Sequence, residues 1–369
     1  MKEMNSVLRN EDKAVLSLRT LYQSYGYAQY KMSKFEEYDL YVRNKSFLVS
    51  DHVITFTDTN GKLMALKPDV TLSIVKNSKD LPDSVQKVYY DEKVYRAYGG
   101  DYSFREIPQV GLECLGEIDD YCLLEVVSLA AQSLSCISED FVLDISHLGL
   151  LSAVLSEMAL SGQVRGELIS CIGEKNRHGI REICLREGVS EDATDAIITL
   201  VDTYGSPERV LPVLRKRFST GEAAEALEQL STLCAALAER FSNEKIRLDF
   251  SVVSDLSYYN GIVFKGFING ISSDVLSGGQ YDKLMQKMGK RAGAVGFAVY
   301  LDLLEELFRN ERNEYDVDVL LVYDGTSSSL EVNRKVEALV AEGKSVTAQR
   351  SVPEKLRYRT LCRMGEKGE

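Results

Sequence analysis

The sequence predicts an α+β chain with a helical insertion and a small α/β domain near its C-terminal end. Three observations carry that expectation. Runs rich in Val, Tyr and Leu, KVYYDEKVYRAY and IPQVGLECLGEI, read as strands, and strands return at IRLDFSVV. Between them, residues from about 149 to 243 carry helical periodicity. After a charged break at Arg309 to Tyr315, DVDVLLVYD, an amphipathic helix and SVTAQRSV form a β-α-β unit of parallel-sheet type. These readings divide the 369 residues into a core domain, 1–310, and a short, incomplete-looking unit, 314–369.

The elements follow in order. EDKAVLSLRTLYQSYG places Val15, Leu18, Leu21, Tyr22 and Tyr25 on one helical face, with Gly26 as the stop. HVITFTDTNGKLMALK alternates apolar and polar residues around Asn60-Gly61, a hairpin signal because the turn needs residues tolerant of positive φ. KPDVTLSIVKN turns into a helix that Asp69 or Thr71 can cap. DDYCLLEVVSLAAQSLS is helical and FVLDIS is a strand. Gly205-Ser206-Pro207 interrupts the helical stretch. YNGIVFKGFI is a strand, Gly278-Gly279 reads as a tight bend, and RAGAVGFAVYLDLLEELF begins as a strand and ends as a helix.

Composition narrows the function. Net charge is −12, which argues against a nucleic-acid surface. The seven cysteines form no C-x-x-C pair, and none has a histidine at metal-ligand spacing, so no metal is expected. No apolar run of about 20 residues is evident and the N-terminus lacks a secretory core, so a cytoplasmic protein without membrane contact is expected. His52, His147 and His178 are far apart and suggest no catalytic base.

Four stretches in order carry a resemblance: LMALKPDVTLSIVKN, VYRAYGGDYSFREIPQVGLECLG, DLSYYNGIVFKGF and SGGQYDKLMQKMGKRAGAVGFAVYLDLL. Together they resemble the core of class II aminoacyl-tRNA synthetases, in the histidyl branch. The resemblance implies a mixed, mainly antiparallel sheet flanked by helices, and an amino-acid pocket. By matching positions, Asp69, Thr71, Gln109, Glu113, Tyr258 and Tyr259 would line that pocket and hold histidine. The spacing of four puts Gln109 and Glu113 on one strand face. The same alternation would send Tyr258 and Tyr259 to opposite faces, so one of them is expected to point inward. Taken alone, the tyrosines also suit a sheet core, and Asp69 a helix cap.

Forming an adenylate needs fixed cations on the phosphates. Of the family's three arginines, Arg96 is present, while Ser254 and Leu303 stand at the other two positions. Tyr98 replaces an acidic residue, Tyr300 a glycine that keeps room for ATP, and Gln280 an arginine. Lys265 and Arg291 are the nearest candidates for substitute cations.

Catalytic residues are therefore expected to be absent. The resemblance then implies a regulatory subunit of ATP phosphoribosyltransferase, acting in the first step of histidine biosynthesis. It would need no cofactor, would bind free histidine, and would work as a homodimer with a short-form catalytic subunit. Ser33 in QYKMSKFEE replaces a proline of the family's dimer strand. An active histidyl-tRNA synthetase and a stand-alone histidine-binding module are the alternatives. The basic cluster Lys355, Arg357, Arg359 and Arg363 is a weak tRNA site and reads as a solvated face or docking surface.

Overall fold

The computed structural model describes residues 8, 10–48, 52–79, 84–98, 103–253, 258–304, 307 and 314–364. The chain divides into two compact units, Met1–Leu307 and Phe308–Glu369.

The first unit is built on an eight-stranded sheet of order β1-β5-β6-β11-β10-β9-β7-β8. Its strands are β1 (Ala28–Gln29), β5 (Val85–Tyr98), β6 (Ser103–Gly116), β7 (Phe141–His147), β8 (Ile246–Leu248), β9 (Ile262–Ile268), β10 (Leu276–Gln280) and β11 (Gly293–Tyr300). The five internal pairings from β5 to β7 are antiparallel; only the edge pairs β1–β5 and β7–β8 are parallel. The long β5–β6 ladder runs from Val85 opposite Gly116 to Tyr98 opposite Ser103.

One face is covered by apolar helices. Helix α1 (Asn10–Ser24) buries Ala14, Leu18 and Tyr22, and Gly26 follows it at φ +81°. A small sheet of β2 (Phe35–Glu37), β4 (Leu63–Leu66) and β3 (Thr55–Thr57) comes next, with helix α2 (Tyr38–Arg43) between its first two strands in sequence. Gly61 sits at φ +79° in the β3–β4 turn, where the Asn-Gly signal placed it. Ser33 lies outside any strand, between β1 and β2.

Helix α3 (Thr71–Asn77) leads into the β5–β6 ladder. Helix α4 (Asp120–Ile137) then starts on Asp119, whose side chain accepts from the Cys122 N–H. By length and composition α4 could cross a membrane, but it buries Leu123, Val126, Val127, Leu129 and Leu134, as a core helix does. Helices α5 (Leu148–Ser156), α6 (Gly162–Gly173), α7 (Arg177–Arg186), α8 (Glu191–Asp202), α9 (Pro207–Arg217) and α10 (Gly221–Ala238) form the insertion between β7 and β8. Pro207 opens α9, where its missing N–H costs nothing. Gly278 and Gly279 occupy the interior of β10, not a bend. Helix α11 (Asp282–Lys287) follows directly.

The second unit holds a three-stranded parallel sheet of order β13-β12-β14. Its strands are β12 (Val317–Val322), β13 (Val346–Gln349) and β14 (Tyr358–Arg363). Helix α12 (Ser329–Ala341) begins with a capping box made by Ser328 and Glu331. Arg359 and Arg363 lie on β14, a strand that the basic pattern concealed. Arg357, just before it, pairs with Asp316 at 2.6 Å.

Candidate functional site

Three adjacent strands place glycines where the sheet must approach other groups closely. A methyl at Gly111 on β6 would meet the Tyr90 hydroxyl at 2.4 Å. One at Gly296 on β11 would meet Glu113 Oε2 at 1.8 Å, and one at Gly279 on β10 would meet Tyr259 Cδ1 at 2.8 Å. Gly296 thus brings main chain into the lining of a recess, while Gly111 and Gly279 leave space for Tyr90 and Tyr259 beside it. Its walls are Val70 and Thr71 at the start of α3, Tyr90 and Arg96 on β5, Gln109 and Glu113 on β6, Tyr258 and Tyr259 before β9, Tyr281 after β10, and Tyr300 on β11. The cavity they leave measures about 50 Å³.

Glu113 is the electrostatic centre. It is 2% exposed and accepts hydrogen bonds from Thr71 Oγ1 at 2.7 Å and the Tyr281 hydroxyl at 2.5 Å. Burial pushes its carboxyl up to about 8, against the lowering pull of those two donors. Burial also pushes the phenols of Tyr90, Tyr258, Tyr259 and Tyr281 well up, so all are neutral donors at physiological pH. Beside Glu113, Gln109 is 2% exposed, and its Nε2 amide has no hydrogen-bond partner in the protein. An orphaned buried donor aimed at a recess fits an acceptor on a ligand.

Of the residues expected here, Thr71, Gln109, Glu113, Tyr258 and Tyr259 line one cavity. Asp69 does not line it. Its carboxylate accepts from the Leu72 N–H at 2.8 Å and lies 3.7 Å from Arg96, so it acts as a cap and a counter-ion. Burial raises its carboxyl, with Arg96 opposing. Both Tyr258 and Tyr259 face inward, against the alternation argument, because they precede β9 and are not constrained by its pleat. Their ring centroids are 4.5 Å apart, and Tyr258 also packs on Phe47 and Tyr281. The sequence reading missed Tyr90 and Tyr281. A signal existed for Tyr90: it stands opposite Gly111, two residues before Glu113 on the same face.

The phosphate end is different. Arg96 donates from Nε to the Pro68 carbonyl at 2.7 Å and pairs with Asp69. Tyr300 lies in the cavity wall beside it and hydrogen-bonds with Ser277. Leu303 is half-buried in a short 3₁₀ turn, Asp302–Leu304, and Ser254 lies outside the described residues. Lys265 lies 3.4 Å from Asp274, and neither it nor Arg291 lines the cavity. Among the described residues, Arg96 is the one cation in the cavity wall. Sites for drug-sized ligands run to about 300–1,000 Å³, so this cavity has no room for a nucleotide triphosphate.

This antiparallel sheet, with a small recess against its glycine-bearing strands, is the architecture of a class II synthetase core. A sequence-family model described as histidyl-tRNA synthetase matches residues 5–304, and the chain belongs to that family. Among its relatives is the ATP phosphoribosyltransferase regulatory subunit of Clostridium acetobutylicum, 28% identical over 89% of this chain and 82% of its own. The corresponding subunit of Ruminiclostridium cellulolyticum is 25% identical over 88% and 78%. Solved structures agree on the fold. An ATP phosphoribosyltransferase regulatory subunit/histidyl-tRNA synthetase from Bacillus halodurans superposes with a TM-score of 0.78 at 22% identity, covering 96% of this chain and 93% of that one. A chain of the ATP phosphoribosyl transferase HisG:HisZ complex from Thermotoga maritima gives 0.62 at 21% identity, covering 78% and 96%.

Proposed function

We propose that this chain is a non-catalytic regulatory subunit of ATP phosphoribosyltransferase. It assembles with the short-form catalytic subunit at the first step of histidine biosynthesis. The single observation that carries the reading is the state of the phosphate end. Arg96 is committed to Pro68 and Asp69, Tyr300 fills the wall, and no second cation lines the cavity among the described residues. Removing one preorganised donor from such a site costs about 3 kcal/mol of transition-state stabilisation; two losses leave no useful adenylation.

The amino-acid end supports free histidine as a feedback ligand. Gln109 offers an unused donor and Glu113 a carboxyl, between tyrosine rings that suit an aromatic, polar guest. A cavity of about 50 Å³ is too small for histidine as it stands. Binding therefore widens it, with the Tyr258–Tyr259 pair, outside regular structure, as the wall that gives way. A ligand that favours the widened state shifts the assembly only through that differential affinity. A cytoplasmic homodimer within a hetero-oligomer completes the reading.

The test is to mix purified chain with its cognate catalytic subunit and measure co-elution and phosphoribosyl transfer, with and without histidine. Complex formation with a rate gain is expected. Neither complex nor gain, from folded protein, would refute the proposal.

A further inference from the structure

The tyrosine wall of the recess is tied from behind at a carboxylate. Tyr259 is followed by Asn260 and Tyr281 by Asp282, and these two neighbours bind each other reciprocally. Asn260 Nδ2 donates to Asp282 Oδ2 at 2.8 Å, and the Asp282 N–H donates to Asn260 Oδ1 at 2.8 Å. Gln280, which replaces an arginine of the family, donates from Nε2 to the same Oδ2 at 3.1 Å. The Ala294 N–H on β11 donates to Oδ1 at 2.9 Å, and the Asn260 N–H reaches the Gln280 carbonyl at 3.0 Å. Two glycines leave space for this cluster. A methyl at Gly261 would lie 2.0 Å from Gln280 Oε1, and one at Gly293 would lie 2.8 Å from Asp282 Oδ1. In front, the rings run Tyr259–Tyr258–Tyr281, with centroids 4.5 and 5.8 Å apart, and the Tyr281 hydroxyl ends on Glu113. The side chain of Asp282 thus accepts from three donors. A carboxylate can do so with both oxygens, whereas an amide in its place turns a donor toward donors.

We infer that Asp282 is a positioning residue for ligand binding: through Asn260 and Gln280 it holds Tyr259 and Tyr281 at one spacing across the recess. The inference rests on the histidine reading of that recess. Asp282 stands outside the recess lining and acts through the two tyrosines. The wall yields to a guest about a fixed point, Asn260, and closes back on it. Freed from Asp282, the wall samples more arrangements that a guest must then order, and binding weakens through faster release.

The test uses the full chain and L-histidine, with affinity from calorimetry and rates from stopped-flow tyrosine emission, since the chain has no tryptophan. D282N keeps the size of the side chain and spoils its acceptor pattern. Its affinity should fall about tenfold, with the loss in the dissociation rate. N260A, which removes the wall's side of the bond, should show the same loss and serves if D282N does not fold. The exchange N260D/D282N reverses the polarity. The amide at 282 still accepts from the Ala294 N–H and donates to the carboxylate now at 260, and a turned Gln280 amide accepts from it. Affinity should return to within about threefold of wild type. G61A, whose strained turn lies outside the recess lining, should bind as wild type does. Binding by both D282N and N260A within about twofold of wild type would overturn the inference, as would an exchange variant no better than D282N. A ligand-free reading comes from fluorine NMR of fluorotyrosine-labelled protein, assigned through Y259F and Y281F. D282N should shift or broaden both signals, the exchange should restore them, and G61A should leave them alone. Unchanged signals in D282N refute the positioning role. If wild type binds no histidine, the histidine reading fails, and the fluorine signals alone decide whether Asp282 holds the wall.

Discussion

Gly296→Ala should both destabilise the first unit and disable the pocket. The added methyl would lie 1.8 Å from Glu113 Oε2 and 2.5 Å from the Leu112 carbonyl, far inside van der Waals contact. The carbonyl belongs to β6, which pairs with β11 along its length, so it has little freedom to retreat. Overpacking of this kind costs about 1–3 kcal/mol. Expelling the Glu113 carboxyl also breaks its contacts with Thr71 and Tyr281, about 1 kcal/mol each. The sum is about 3–5 kcal/mol, a large share of the roughly 5–15 kcal/mol that holds a domain folded. Urea unfolding followed by circular dichroism measures it, and histidine titration of the folded fraction should show no binding. In the double variant with Glu113→Ala the closest clash is gone. Its cost should fall short of the two single costs added together by at least about 1 kcal/mol. Gly296→Ala within about 0.5 kcal/mol of wild type, or strict additivity in the double variant, would refute the close-packing argument.

Three further outcomes are expected. His147 Nδ1 accepts from the Leu150 N–H at the start of α5 while Nε2–H donates to Gln229, and burial lowers the imidazole pKa. The resulting stability is complete above about pH 6.5 and is lost as pH falls through the lower folded value, because the unfolded chain binds the proton first. Wild type should therefore lose more stability than H147N between pH 7.5 and 5 in urea titrations, and parallel losses would discount the cap. Gly61→Ala meets no atom within 4 Å but must hold φ near +79°, so unfolding should show a loss of about 1–2 kcal/mol from backbone strain alone. Tyr300→Gly should enlarge the cavity yet leave histidine-dependent ATP–pyrophosphate exchange at background, since Ser254 and Leu303 supply no cation. Exchange above background would show that the missing charges are replaced from elsewhere.

Local periodicity revealed most of the secondary structure, because strands and helices here differ plainly in the spacing of apolar residues. The Asn60-Gly61 turn, α4 and the parallel pairing of β12 with β13 each follow from a few neighbouring residues. Gln109 and Glu113 were legible as a pair because both lie on one strand face. What failed depends on distance in sequence. Gly278-Gly279 looks like a bend, but those glycines serve β9 and β11 crossing beside them, where side chains of Tyr259 and Phe297 need the space. Tyr281 finds Glu113 across 168 residues, a contact no local pattern encodes. Asp69 was assigned to the ligand, yet its nearer obligations, to Leu72 and Arg96, take precedence. Strand β14 was hidden by its charges: most of its residues are exposed, so the alternation that marks a half-buried strand is missing.

The glycines separate form from chemistry. Gly296 lines the recess with main chain, and Gly111 and Gly279 leave room for the Tyr90 and Tyr259 side chains of its wall, all three in paired strands of the main sheet. Among the described residues, those at the phosphate end stand apart from these glycines, Arg96 near the end of β5 and Tyr300 at the end of β11. Exchanging a side chain at that end rewrites what the hollow can do to a guest but leaves the hollow; filling the glycine positions erases it. A scaffold of this kind can give up turnover while still registering whether a small molecule is present.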